Sequence, residues 1–553
     1  MRSVDFNQID DIAILRAMLI EQQARLTDRN AQLSDRNVQL SKREAQLAER
    51  DALIAAHERT ICRKTSEIDY KTAKIAKLTA EIARLRRITF SSCSEKLNPE
   101  QRELFEETMA ADIAAVEDAL EALRDPSSMN KPRPPAVRRP LPPELPRVET
   151  VHEPEGCACG RCVGDLVKIG EHVRETLDCE PLTFFVRREV YPQYACRACE
   201  TVVSEPVAPA IVDRSIAAPG LMSYVITSKY VDHLPLYRLE AIFLRSGVEI
   251  SRTTLAEWVG AVGVRVQPLV DAMRLELHGC DVLHADETPV AQLDPGAGKT
   301  KQAYLFAYRS ASEDAPIIIF DYCTSRSGKH AGAFLDGWQG ALMVDDYAGY
   351  KALFKGGIVE LGCWAHARRK FFDLHKANKS EIAAEALQRI AALYHIEQQA
   401  REMSAEDRYA HRQRNSKPLI DALFDWLIRL RPTIVGNSGS ANAIDYTLKR
   451  AVALRRYLDD GRYPIDNNAI ENAIRPIALG RKNWLFTGSE TAGRRAAAIM
   501  SLLATAKANG HCPHAWLTDV LTRLPTTLDK HIGELLPHRW VLNGEAGQLA
   551  ASR

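Results

Sequence analysis

From Leu19 onward an apolar residue recurs at every seventh position, at Leu26, Leu33, Leu40, Leu47, Ile54, Ile61, Ile68, Ile75 and Ile82. A period of seven marks the seam of a coiled coil, because helices wound at 3.5 residues per turn keep such a stripe facing a partner. The companion position four residues on holds Asn30, Asn37, Glu44 and Asp51, so the first half carries one apolar stripe where a strong coil has two. Buried asparagines there favour a defined register over stability. The pattern predicts a coiled coil over 1–90 that joins two or more copies of the chain. The alternative, a single solvated helix, would leave the stripe with nothing to bury it. A short helical segment, 91–124, follows.

Periodicity stops between 125 and 150. The run "PSSMNKPRPPAVRRPLPPELPR" is too rich in proline for a helix or sheet interior and reads as an extended basic spacer. Alternating apolar residues return in "ETLDCEPLTFFVRREVYPQY", which predicts a hairpin. Region 205–280 is helical. Within it "YRLEAIFLRSGVEISRTTLAEWVGAVG" gives a helix, a turn at Gly247, and a second helix opened by a capping box of Thr254 and Glu257. That spacing is helix-turn-helix-like, and it suits an ordinary helical hairpin as well as a DNA reader.

Five apolar runs then read as buried strands. They are "DVLHADETP" ending at Asp286, "YLFAY", "PIIIFDY", "GALMVDDYAGY" ending at Asp345, and "GIVELG", which runs into the basic helix "CWAHARRKFFDL". Three strands, a helix, a strand, a helix and a strand describe an RNase H-like layout. In such a sheet the ends of the first and fourth strands lie side by side, so Asp286 and Asp345 should converge. A third acid must come from a helix after the fifth strand, and Glu471 in "YPIDNNAIENAIRPIALGRKNW" is the candidate. The predicted core is therefore split into 281–375 and 461–510 by an all-helical insertion, 376–460, and a C-terminal helical tail occupies 511–553. The fold class is multidomain, mainly α with α/β.

Composition narrows the chemistry. With 553 residues and 46% hydrophobic content the chain can build several cores. Lysine plus arginine, 73, balances aspartate plus glutamate, 72, so any DNA-binding surface must come from local clustering. No window reaches the roughly 18 apolar residues of a membrane span, which points to a cytoplasmic protein without a membrane partner. Of the 12 cysteines many crowd into 157–199. Cys159 with Cys162 and Cys196 with Cys199 form two C-x2-C knuckles in a module at 151–204. Four thiolates close a tetrahedron around one zinc ion. Cys157 is an alternative to Cys159, and Cys179 reads as core. No histidine or carboxylate stands among these ligands to leave an open position, so the zinc is structural and a zinc-dependent hydrolase is excluded.

Three carboxylates in one site repel one another, and divalent cations that take oxygen ligands relieve the repulsion. Two magnesium (or manganese) ions can activate an attacking hydroxyl and stabilise a leaving oxygen, which is phosphodiester chemistry. Two basic clusters flank the acids. Arg368, Arg369 and Lys370, beside His366, form one, and Arg475, Arg481 and Lys482 the other. Such residues hold a DNA backbone next to acids that repel it. Simpler readings stand beside these. Glu471 three residues after Asn468 also fits a capping box, His284 suits a hydrogen-bonded core histidine, and Trp484 serves equally as a core anchor or a DNA contact. Strand alternation separates Glu287 from Asp286 and Asp346 from Asp345.

Taken in order, the leucine-rich coil, "SSCSEKL", the paired C-x2-C module, "KYVDHLPLYRLEAIF", "HADETPV", "VDDYAGY", "CWAHARRKFF", "YPIDNNAIENAIRPIALGRKNWLFTGSE" and "TAKANGHCPHAWLTDVLTRLP" resemble the DDE transposases of the bacterial insertion-sequence sixty-six family over nearly the whole chain. The resemblance implies that Asp286, Asp345 and Glu471 are the catalytic, metal-holding acids. It implies binding of the element's terminal inverted repeats, cleavage to expose 3′-hydroxyls, and their transfer to target DNA. Accessory proteins of the same element and a nucleoid-associated place in a bacterial cell are implied as well. Two departures stand out: Asp346 occupies a slot that is usually glycine, and "SSCSEKL" replaces "GRSSEKL". The competing class is a catalytically silent, DNA-binding coiled-coil assembly protein that retains the fold.

Overall fold

The computed structural model describes residues 12–90, residue 116 and residues 141–541, the last with short gaps at 142, 144, 153–165, 181–182, 198, 214 and 295–298. Cys157, Cys159, Cys162, the predicted helical segment at 91–124 apart from Val116, and most of the proline-rich spacer lie outside the described residues. The predicted coil is one helix, Ile12–Phe90, of 79 residues. At 1.5 Å per residue it is about 120 Å long. On it Leu19, Leu26, Ile54, Ile61 and Ile68 are all exposed.

The chain from residue 80 onward forms a second compact unit. Its first sheet is a ribbon of β1 (Arg147–Val151), β2 (Leu166–Glu180), β3 (Thr183–Cys196) and β4 (Val202–Ser204). β2 and β3 are the predicted hairpin, paired from Leu166↔Cys196 to Glu180↔Thr183. β1 pairs parallel with β3, so the last residues assigned to the spacer are a strand rather than linker. The turn end of the hairpin places Leu177, Cys179, Phe184 and Val186 in the largest core. Cys179 is thus a core residue as read from the sequence, and burial beside Asp178 pushes its thiol up to about 12.

Four helices follow, Pro219–Tyr230, Leu236–Arg245, Arg252–Arg265 and Gln267–His278. Gly247 makes the turn between the second and third with φ +80°, a conformation glycine adopts without steric cost. The helix cap lies one turn earlier than predicted. Ser251 is the cap, and its hydroxyl accepts from the Thr254 amide. From Leu255 to Gly263 every residue of this helix except Glu257 is buried.

The second sheet contains β5 (Val282–Asp294), β6 (Lys299–Ser310), β7 (Ile318–Cys323), β8 (Ala341–Val344) and β9 (Val359–Gly362). Its order is β7-β6-β5-β8-β9. The first three strands run antiparallel in sequence, and β8 and β9 lie parallel to β5. β5 does not end at Asp286 as predicted. Antiparallel pairing with β6 carries it to Asp294, while β8 pairs with only Val282–His284. Alternation sorts the two faces. Leu283, Ala285, Phe306, Tyr308, Leu342 and Val344 point into the largest core with the four helices. Val290, Leu305 and Ala307 point the other way, against Ile470, Ile474 and Ile477 of the helix Asn468–Trp484.

The helices between 376 and 460 share a separate core, formed by Ile390, Leu393, Ile420, Phe424, Leu427 and Ile444. The helix Trp364–Asn378 also contributes to it, since Trp364 and Phe371 are buried there. Arg412, 2% exposed, ties this unit together. It forks onto both Glu397 oxygens at 2.9 and 2.6 Å and donates to the carbonyls of Tyr457, Asp460 and Tyr463 at 2.7–3.0 Å. Removing one partner of a buried pair strands the other, at about 3–5 kcal/mol. Arg412→Met should lose that much stability in chemical denaturation, and adding Glu397→Leu should recover part of it; an unchanged midpoint would contradict this account.

The predicted C-terminal tail is core. In the helix Pro513–Arg523, Trp516, Leu517 and Val520 pack with Leu221 and Met222, and the Ser223 hydroxyl donates to the His514 carbonyl at 2.8 Å. No helix among the described residues is long and apolar enough to cross a membrane.

Candidate functional site

The sheet's own alternation builds the site. His284, Asp286 and Val290 share one face of β5, and Asp345, directly after β8, continues the face of Met343. That face is covered by the helix Asn468–Trp484, which carries Glu471 in its first turn. The three acids meet electrostatically. Burial first, then the charges of Glu287, Asp345 and Glu471, push Asp286 up to about 7, although the Glu287 amide donates to its carboxylate at 2.8 Å. Asp345 accepts from the Tyr347 amide at 2.8 Å.

Glu471 is not a cap. The helix start is held by Asp466, whose carboxylate accepts from the Asn468 amide at 3.0 Å and its side chain at 2.8 Å, and from the Tyr394 hydroxyl at 2.8 Å. The Glu471 carboxylate instead reaches across to the helix Trp364–Asn378. Its Oε2 accepts from Arg369 at 3.3 Å, and its Oε1 lies 3.6 Å from His366 Nδ1. Glu471 Oε1 and His366 Nδ1 are buried without a hydrogen-bond partner. Burial lowers the His366 pKa, against the opposing pull of Glu471 and Asp345.

Asn467 registers this helix on the sheet. Its side-chain amide donates to the Ala285 carbonyl at 2.9 Å, which leaves its oxygen to face His284 Nδ1, also at 2.9 Å. A carbonyl only accepts, so this orientation makes His284 the donor through Nδ1. His284 is the buried, hydrogen-bonded core histidine of the simpler reading, and burial holds its pKa down at about 4. Asn467→Ala would leave both partners buried and unpaired, at about 1–3 kcal/mol each. The variant should lose about 2–4 kcal/mol in denaturant titrations, and a loss under ~0.5 kcal/mol would mean that the register is set elsewhere.

The neighbouring acids are occupied. Glu287, on the opposite face, accepts from Arg326 at 2.9 and 2.5 Å and from Tyr350 at 3.0 Å. Asp346 meets Arg450 at 2.7 Å, Lys351 at 3.1 Å and Lys449 at 3.7 Å. Burial alone would raise Asp346, but Lys351 and Arg450 outweigh it and hold the carboxyl below its usual range. Asp346 thus pairs with three cations, whereas Asp345 is one of the charges that raise Asp286.

The predicted basic residues divide. Arg368, Arg369, Lys370, Arg475 and Lys482 are exposed. Arg368 lies over Phe372, Lys370 over Tyr446, and Arg369 pairs with Glu471. Arg481 is turned inward and donates to the Pro289 carbonyl at 2.7 Å. Trp484 packs partly buried beside the core under the helix, so it anchors the helix end. Cys196 is buried at the end of β3 opposite Leu166, and Cys199 follows in a turn where the Glu200 amide donates to the Cys196 carbonyl at 2.8 Å. Sequence reasoning missed Asn467 and Cys363. The signal available for Cys363 was its C-x2-H spacing with His366 at a strand-to-helix junction. Among the described residues, ligand atoms of Cys363, His366 and Glu471 all lie within 4.8 Å of one another.

These features define a class: a multidomain, mostly helical protein whose mixed sheet collects acids beneath one helix, with a cysteine-bearing ribbon and a zipper-like helix attached. The chain belongs to the IS66 family of transposases, whose model matches residues 214–495. Further models match in order along the chain, a zinc-finger binding domain of transposase IS66 at 156–200 and the IS66 C-terminal element at 501–538. A third, described as transposase C of IS166 homeodomain, matches 77–150. Two relatives from Sinorhizobium fredii (strain NBRC 101917 / NGR234), both uncharacterized, are similar over most of their length. Protein y4qI is 37% identical over 459 residues, 80% of this chain and 84% of the relative. Protein y4jD is 38% identical over 428 residues, 74% and 83% of the two. Family membership points to transposition and DNA binding.

Proposed function

We propose that the protein is a DDE transposase with an RNase H-like catalytic domain. In this reading it binds the terminal inverted repeats of its element, cleaves phosphodiester bonds to leave 3′-hydroxyls and joins them to target DNA. The observation that carries the reading is that the charges of Asp345 and Glu471 both act on the half-buried Asp286, with Glu471 Oε1 buried and without a hydrogen bond. Such a group of hard oxygens suits magnesium or manganese, which would remove the mutual repulsion. When bound by Asp286, Asp345 and Glu471, two such ions would activate the attacking oxygen and stabilise the leaving one.

The chain's own groups do the rest. Asn467 holds the Glu471 helix against Ala285, one residue before Asp286, so the acids are positioned by buried hydrogen bonds. Exposed Arg368, Lys370, Arg475 and Lys482 beside the acids supply phosphate contacts, and Arg369 exchanges Glu471 for a phosphate when DNA arrives. Cys159, Cys162, Cys196 and Cys199 hold a structural zinc at the base of the hairpin, where register brings Leu166 and Cys196 together. We place the protein at the nucleoid in the bacterial cytoplasm, acting with accessory proteins of its element.

The exposed Leu19–Ile68 seam supports self-association. Sedimentation of a chain lacking 1–79 should give a monomer where the full chain gives a dimer or larger, and an unchanged species would assign assembly elsewhere. The test of function is magnesium-dependent nicking of a duplex carrying the element's ends, wild type against Glu471→Gln. Nicking that survives the substitution would remove Glu471 from the site.

A further inference from the structure

We propose that Cys363, His366 and Glu471 form a second zinc-binding site, distinct from the cysteine ribbon, whose occupation withdraws Glu471 from the other acids. Three observations converge on it. Cys363 ends β9 and caps the helix Trp364–Asn378, and His366 follows three residues on, the spacing that puts both on one side of a helix start. Glu471 comes from the facing helix, and the ligand atoms of all three lie within 4.8 Å. On these residues His366 Nδ1 and Glu471 Oε1 are buried, 3.6 Å apart and without hydrogen-bond partners. Buried polar atoms almost always find a partner, so a facing pair that does not is a gap that a cation fits.

The sulfur has two amide donors within reach. The Asn467 amide points at Cys363 Sγ from 3.2 Å, and the His366 amide also donates to it. Amide donors and a helix N-terminus both favour a thiolate. In the metal-free chain burial keeps the thiol protonated, with its pKa pushed up to about 12. Binding would therefore release the thiol proton to solvent as the Zn–S bond forms, with no change in oxidation state. A sulfur, a nitrogen and one carboxylate oxygen suit zinc far better than magnesium, and leave a fourth position for water. Arg369 must give up Glu471 Oε2 only if the carboxylate binds through both oxygens.

The binding claim stands by itself, whereas the inhibitory consequence rests on the transposase reading. Full-length protein saturated with zinc sulfate, passed through a desalting column and measured by elemental mass spectrometry should hold one zinc more per chain than Cys363→Ala or His366→Ala treated alike. The difference is independent of how full the ribbon is. His366 is partly exposed, so His366→Ala guards against misfolding of the buried Cys363 variant, and matched melting curves establish that each variant is folded. Equal zinc in wild type and in folded His366→Ala overturns the proposal. In nicking assays zinc should slow the wild type and leave the rate of His366→Ala, with zinc relative to without, near one. Wild type that binds the extra zinc yet nicks equally with and without it removes the inhibitory role alone. Wild type that binds it but never nicks counts against the transposase reading and leaves the site intact.

Discussion

Glu471→Gln should reduce magnesium-dependent nicking by about 10²–10³-fold, the scale of losing one group that meets charge developing in the transition state, while binding to the element's ends persists. Glutamine keeps the shape of the side chain and removes only its charge. The fold should tolerate the change. Glu471 pairs with Arg369, which is 55% exposed, and pairs of that kind contribute little, about 0–1 kcal/mol. The helix start depends on Asp466 and Asn467 rather than on Glu471. A variant that folds, binds and does not cut would therefore report the carboxylate itself. Removing a negative charge beside Asp286 should also ease the burden that pushes that acid upward. A titration of Asp286 that stays unchanged in Glu471→Gln would show that the two are not coupled.

Cys196→Ser should cost the ribbon its zinc and unfold one end of it. Zinc supplies on the order of 10 kcal/mol of folding free energy to small cysteine modules, far more than the short β4 pairing at Gln193–Ala195 can replace at the knuckle end of the hairpin. The other end is fixed independently, since Leu177, Phe184 and Val186 sit in the main core with the helix Pro219–Tyr230. Hydrogen exchange should thus lose protection from Val167–Val173 and from their β3 partners Val190–Ala195. Protection should persist in β5 through β9. Zinc content should fall by one ion per chain. Retained zinc, or protection lost throughout the second sheet, would refute the division of the ribbon into a metal-held end and a core-held end.

The parts of the site that were legible in the sequence are those decided by short-range rules. Alternation along a strand decided that His284 and Asp286 share a face and that Glu287 does not. The heptad stripe and the C-x2-C pairs are likewise local patterns. The errors occurred where a neighbour decides. β5 runs on to Asp294 because β6 offers partners along its whole length, and Trp364 is buried with Phe424 and Leu454 of a separate helical core. The Thr254 cap was misplaced by one turn because Ser251 offers the same chemistry, and the buried Val248 and Ile250 set where the helix begins. The C-terminal segment read as a tail because nothing in its own pattern reveals that Leu221 and Met222 wait to cover Trp516.

By itself the sequence singled out the candidates for chemistry: the acids, the paired cysteines, the basic clusters and the seam. Those are questions of residue type and period, which each segment answers alone. Only the tertiary structure decided that Asp346 pairs with three cations while the charge of Asp345 acts on Asp286, that Arg481 turns inward, and that Glu471 faces Arg369 and His366 rather than its own helix start. Each of these is a choice among partners far apart in the chain, and it is settled by which buried polar groups can be satisfied together once the sheet and its covering helices have packed.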